Sequence, residues 1–251
     1  LLQWDLQVYM PPKGAAQMAA LISYLSGLLH EKFTSKDFEV LLSSFKEAMD
    51  NNSLNQKEAA IVREVWREFS REKKLPLEFV KELAQVTSEA HHIWIKARKD
   101  SDFKLFLPYL KKIIELKRKE ANLVGFLGSP YNALLDIFEP NITTEEISLL
   151  LKELKSFLIP FIRKIQKSKI KINPSILAGN FDVEKQKEFN RLVVQKMGFD
   201  FESGRLDIST HPFTTNFHPE DVRFTVRYDK NNLFYSLSSA IHETGHALYE
   251  Q

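Results

Sequence analysis

In His242-Glu243-Thr244-Gly245-His246, two imidazoles stand four residues apart with a carboxylate beside the first. On an α-helix, residues at that spacing lie about 40° apart around the axis and roughly 6 Å apart along it, so both rings reach one ion. Zinc accepts that geometry. Glu243, one step round from His242, lies beside a water on the open coordination position and takes its proton as general base. Random ordering of 7 His and 33 acidic residues over 251 positions yields the pattern about once in forty such sequences. The motif is therefore read as His242 and His246 binding metal with Glu243 as catalytic base, in preference to two surface histidines flanking a glutamate.

A complete zinc site needs a third protein ligand. With no Cys in the chain, His and carboxylates are the available donors. Glu250 stands four residues beyond His246 but would have to reach back a full turn, so the third ligand is expected beyond Gln251. His91 and His92 are adjacent on an expected helix and point about 100° apart, which disfavours joint coordination. Together with His30, near a helix end, they are assigned structural roles. His211 and His218 fall in an irregular stretch and stay open as candidates.

The motif needs a helix to carry it, and one is expected over 231 to 251, with Leu233, Leu237, Ala240, Ile241, Ala247 and Leu248 on its apolar side. Before it, the run from Asp221 through Tyr228 alternates strictly between polar and apolar residues. A strand there turns Val222, Phe224, Val226 and Tyr228 toward the core and lines the opposite face with Asp221, Arg223, Thr225 and Arg227.

Over the first two thirds of the chain, apolar periodicity near 3.6 and only 8 Gly point to helices. They are expected near 14 to 32, 36 to 51, 54 to 73, 77 to 99, 102 to 124, 130 to 138, 144 to 168 and 182 to 197. Ser53 with Gln56 and Thr143 with Glu146 have capping-box spacing, and Pro76, Pro108, Pro130, Pro140 and Pro174 punctuate the pattern. The expected fold is mainly α, a multi-helix metallopeptidase fold with a small antiparallel β element before the active-site helix. One domain is expected over 1 to 251, helical through 197, with strand and active-site helix in 198 to 251.

Thirty-five basic residues against 33 acidic ones leave +2, which gives no electrostatic reason to invoke nucleic acid or a membrane surface. The charge-rich run 111 to 119 reads as a solvated helix face. The uncharged stretch 14 to 30 is interrupted by Gln17, Ser23 and Ser26 and is short for a membrane span. Met18, Leu21, Ile22, Leu25, Leu28 and Leu29 recur there as one face of an amphipathic core helix. No signal peptide is recognised, so the cytoplasm is the expected compartment.

Several blocks together resemble the carboxypeptidase Taq family of zinc metallocarboxypeptidases. They are Trp4-Asp5 with Met10-Pro11, the run from Ser129 through Asp136 with Glu139-Pro140, and the run from Gly204 through Asp207. With them go His211-Pro212-Phe213, the run from Asp221 through Thr225, and His242-Glu243-Thr244-Gly245-His246 continuing to Gln251. The resemblance runs from end to end of the chain and corresponds to the family's N-terminal half. It implies a helical, cleft-containing peptidase that removes single residues from peptide C-termini, usually as a cytoplasmic homodimer. It also implies His242 and His246 as metal ligands, Glu243 as base, and His211, Asp221, Arg223 and Thr225 as substrate-binding residues at the cleft. Zn2+ is the expected cofactor, with another divalent metal such as Co2+ as an alternative.

Two departures from the family pattern stand out. Thr244 replaces a Met common between Glu and Gly, and the family's C-terminal half, with its third ligand, a Glu, is absent. A truncated non-catalytic helical module that binds peptide or a partner chain is therefore the competing reading. H-E-x-x-H alone also serves zinc endopeptidases and aminopeptidases.

Overall fold

The computed structural model describes residues 1–170, 173 and 179–251; Pro174, one of the expected helix breakers, lies outside them. Two units pack separately: Pro12–Gln166, and Leu1–Pro11 together with Lys167–Gln251. The short helix α1 (Leu2–Val8), unforeseen in the sequence, belongs to the second.

After a 3₁₀ turn at Pro12–Gly14, the first unit consists of α2 (Ala15–Phe33), α3 (Lys36–Asp50), α4 (Gln56–Glu72), α5 (Leu77–Asp100), α6 (Phe103–Val124), α7 (Pro130–Leu135) and α8 (Thr144–Gln166). Within it α2 packs on α5, α5 on α6, α6 on α7 and α3 on α4. Thr143 and Glu146 cap α8 reciprocally as their spacing requires. The start of α4 corrects the reading at Ser53 and Gln56. There Asn55 and Glu58 form the capping box, because Asn55 adopts the extended backbone that frees its side chain to accept from the Glu58 amide. Pro108 does not interrupt α6; it sits in the second turn of the continuous helix.

Helix α2 is also turned differently from its apolar pattern. Met18 and Ile22 are buried as expected, but Leu21, Leu25, Leu28 and Leu29 are exposed, Leu29 at 70%. Small residues decide this: a Cβ at Gly27 would collide with Lys81 of α5, and Ala19 is 1% exposed, so the narrow face makes the closest approach. His30 completes that face, with Nδ1 3.1 Å from the Glu72 carboxylate and Nε2 2.9 Å from the Leu75 carbonyl. Farther along, Arg71 donates to Glu120 at 2.6 Å and to the Ala133 carbonyl at 2.7 Å, tying α4 to α6 and α7. Helix α8 has no buried residue.

The second unit also contains α9 (Val183–Met197), β1 (Gly204–Ile208), β2 (Thr214–His218), β3 (Asp221–Val226) and α10 (Leu233–Glu250). The small β element expected before the last helix is a mixed three-stranded sheet in the order β1-β3-β2. Strands β2 and β3 pair antiparallel with Thr214 opposite Phe224, whereas β1 pairs parallel with β3 from Gly204/Val222 to Ile208/Val226. Both β1 and β2 lie in the stretch read as irregular. Val222, Phe224 and Val226 are fully buried with Val194, Phe199, Ala240 and Ala247, as the alternation of β3 requires. No helix among the described residues is long and apolar enough to cross a membrane.

Candidate metal centre and active site

The expected active-site helix is α10, and its orientation is fixed by what it buries. Asn232 caps it by accepting from the Tyr235 amide at 3.1 Å. Ser236, Ala240, Thr244 and Ala247, each 0% exposed, turn inward. The hydroxyl of Ser236 donates to the buried Gln186 of α9 at 2.7 Å, while the Gln186 amide donates to the carbonyls of Phe181 and Asp229. Every polar group in that contact is satisfied, so it fixes the helix rotation without desolvation loss. Thr244 returns its hydroxyl to the Ala240 carbonyl at 2.6 Å and stays off the outer face.

With that rotation set, His242 and His246 face outward, both exposed, with ring centroids 4.9 Å apart and planes at 82°. Glu243, next to His242 in sequence and turned toward Thr214 of β2, is 7% exposed. A cleft of about 490 Å³ is lined by Phe213, Thr214, Thr215 and Asn216 from the β2 side and by Glu243, His246 and Glu250 from α10. Thr214 Oγ1 donates to Glu243 Oε2 at 2.7 Å, and the Asn216 amide donates to Glu250.

Two imidazoles on one helix face beside a carboxylate make a donor set suited to a divalent cation such as zinc, and His242 and His246 can hold it. Among the described residues no group of three or more His, Asp or Glu side chains is placed to hold an ion. The donor set thus fits two of the three protein ligands that a hydrolytic zinc site requires.

The four residues assigned to substrate binding fall into two environments. Asp221 and Arg223 are half-buried on β3 and held to each other: Arg223 Nε donates to Asp221 Oδ1 at 2.7 Å and Nη2 to Oδ2 at 2.8 Å. The guanidinium also stacks over Phe217 at 4.8 Å and Trp4 at 5.7 Å. Its hydrogen bond holds the Asp221 carboxyl below the usual carboxylate range. Thr225, by contrast, is 0% exposed; the opposite face of β3 is covered at this point by the segment between β1 and β2. Its hydroxyl is 2.6 Å from Ser209 Oγ and accepts from the Phe213 amide at 3.1 Å. His211 is exposed within that covering segment, and its carbonyl accepts from Ser209. His218 is exposed at the β2–β3 turn, where Nδ1 accepts from the Glu220 amide.

The sequence reading missed Thr214, Asn216 and Ser209. Each is a short polar side chain whose role depends on a partner at least 16 residues away, and no local spacing announces it.

Fold and site together give a mainly helical chain whose last helix carries two outward imidazoles beside a carboxylate. The model of the family described as carboxypeptidase Taq (M32) metallopeptidase matches residues 1–251, and the chain belongs to that family. Carboxypeptidase 1 of Bacillus subtilis is 36% identical over 251 residues, covering all of this chain and 50% of that protein. Thermostable carboxypeptidase 1 of Pyrococcus furiosus is 35% identical over 252 residues, with the same coverage. Among solved structures, the M32 carboxypeptidase from Deinococcus radiodurans aligns over all of this chain and 50% of its own, with 30% identity and a TM-score of 0.83. The chain spans about half the length of the curated relatives it matches.

Proposed function

We propose that the full coding product is a zinc-dependent carboxypeptidase that releases single residues from peptides with a free C-terminus. One observation carries the reading: His242 and His246 share the outer face of α10 while the neighbouring Glu243 lines the adjoining cleft with His246. The whole-chain family match and the printed names of the relatives support it. We place the enzyme in the cytoplasm as a homodimer, with Zn2+ in preference to Co2+.

A bound divalent metal supplies Lewis acidity, which lowers the pKa of water and polarises a carbonyl. His242 and His246 would hold it; among the described residues no third protein ligand stands with them. Glu243 accepts the proton of the attacking water on its carboxylate and returns it to the leaving amine. The remaining residues orient the peptide. Arg223 is the cation nearest this role for the terminal carboxylate, through Nη1, since Asp221 engages Nε and Nη2. Asp221 then aims Arg223, His211 is assigned to substrate contact by the family resemblance, and Thr225 accepts from the amide of Phe213, which lines the cleft.

The test is product analysis by mass spectrometry with free, N-blocked and C-amidated versions of one peptide. Loss of single residues from the C-terminus, insensitive to N-blocking and suppressed by amidation, is the expected result. Internal cleavage would make the protein an endopeptidase, and sensitivity to N-blocking an aminopeptidase. A non-catalytic, peptide-binding module is the second reading, favoured by the lack of a third ligand among the described residues. Binding without turnover in metal-loaded protein would establish it.

A further inference from the structure

We infer that Thr214 is a positioning residue for the general base, an inference that rests on the proposed role of Glu243. A glutamate side chain rotates about three bonds, and a base that wanders loses much of the advantage of being held at the reacting proton. Here one oxygen is tethered. Thr214 Oγ1 lies 2.7 Å from Glu243 Oε2 and 3.1 Å from the Glu243 carbonyl oxygen, so its single proton is aimed chiefly at the carboxylate. Among the described residues Oε1 has no protein hydrogen-bond partner, and it is left to the cleft that Glu243 lines.

The tether is itself fixed at both ends. Thr214 opens β2 opposite Phe224. The residue before it, Phe213, donates its amide to the Thr225 hydroxyl at 3.1 Å and accepts from the Thr225 amide at 2.9 Å. Its ring packs edge-on against Trp4, with centroids 5.5 Å apart. A β-branched side chain on so constrained a backbone has little χ1 freedom, which is why threonine holds the carboxylate more firmly than serine. The hydroxyl donates a neutral hydrogen bond and moves no proton in the reaction. Its contribution is the direction in which Glu243 points.

The experiment compares Thr214→Val, Thr214→Ser and Glu243→Gln in the zinc-loaded full coding product. Steady-state kinetics, zinc content by atomic spectroscopy, thermal unfolding and a crystal structure of the valine variant are the readouts. Thr214→Val should lower kcat roughly 10- to 100-fold, with KM within about twofold. Zinc content and melting temperature should stay unchanged, and the Glu243 side chain should adopt a new rotamer. Thr214→Ser should recover kcat to within roughly threefold of the parent. Full kcat in the valine variant, an unmoved Glu243, or a serine variant as slow as valine would overturn the inference. If the valine variant loses zinc or melts early, the serine variant decides, since it keeps the hydroxyl and removes only the methyl. Glu243→Gln separates the two levels: if it is fully active, the proposed base is wrong. If it is inactive while Thr214→Val is normal, only the role of Thr214 falls.

Discussion

Asp221 grips Arg223 by two parallel hydrogen bonds on a single strand, Nε to Oδ1 at 2.7 Å and Nη2 to Oδ2 at 2.8 Å. Residues two apart on a strand share a face, so the pair is a direct product of β3's period. It engages Nε and Nη2 and leaves Nη1 outside the pair.

From this arrangement Arg223→Ala should weaken cleavage of free-acid peptides by roughly 10-fold or more and change residual cleavage of C-amidated peptides little. Asp221→Asn should give a smaller loss of the same selectivity, because the guanidinium remains but is no longer aimed. Equal losses on both peptide types would remove Arg223 as the carboxylate anchor.

A second prediction concerns stability. Burial alone would raise the carboxyl of Glu120, but hydrogen bonds from Lys117 and Arg71 outweigh it and hold the group below the usual carboxylate range. A group with a depressed folded-state value stabilises the protein above its unfolded value and loses that contribution as pH falls through the folded one. Unfolding free energy should therefore decline as acid is added below about pH 4.3, the ordinary Glu value. The decline should be shallower in Glu120→Gln. That variant should also cost about 3 kcal/mol near neutrality, since the partly buried Arg71 loses the charge of its buried partner. Denaturant titrations of both proteins across pH check both statements.

Gly204 offers a third. A Cβ there would overlap the Val222 carbonyl oxygen and the Phe199 ring, backbone and core in the parallel β1–β3 pair. Gly204→Ala should destabilise by about 1–3 kcal/mol. Gly245→Ala on α10 meets nothing within 4 Å, so its melting temperature in this chain should rise or hold. A Gly204→Ala protein as stable as the parent would contradict the close packing of the sheet on Phe199.

These features differ in how much of them the sequence displays. The helix carrying His242, Glu243 and His246 is legible because a four-residue spacing fixes a shared face whatever surrounds it. Most helices of Pro12–Gln166 are legible for the same reason. The buried face of α2 is not: Gly27 and Ala19 carry no hydrophobic signal, yet they permit the closest approach to α5. Strand β2, Thr214–His218, has no clean alternation and exists because β3 offers it an edge. Thr225 shows the limit of a period-two reading. The period assigns it to the face with Asp221 and Arg223, but only the fold of residues 209 to 213 determines that it is covered.

In the proposed site His242 and His246 bind the metal and Glu243 moves the proton. Its most direct test is to measure zinc content and peptide turnover side by side in the parent, Glu243→Gln and His246→Ala forms of the full coding product. Glu243→Gln should retain zinc at the parental ratio while turnover falls at least about 100-fold, and His246→Ala should lose both. Full turnover in Glu243→Gln, or undiminished zinc in His246→Ala, would contradict the account.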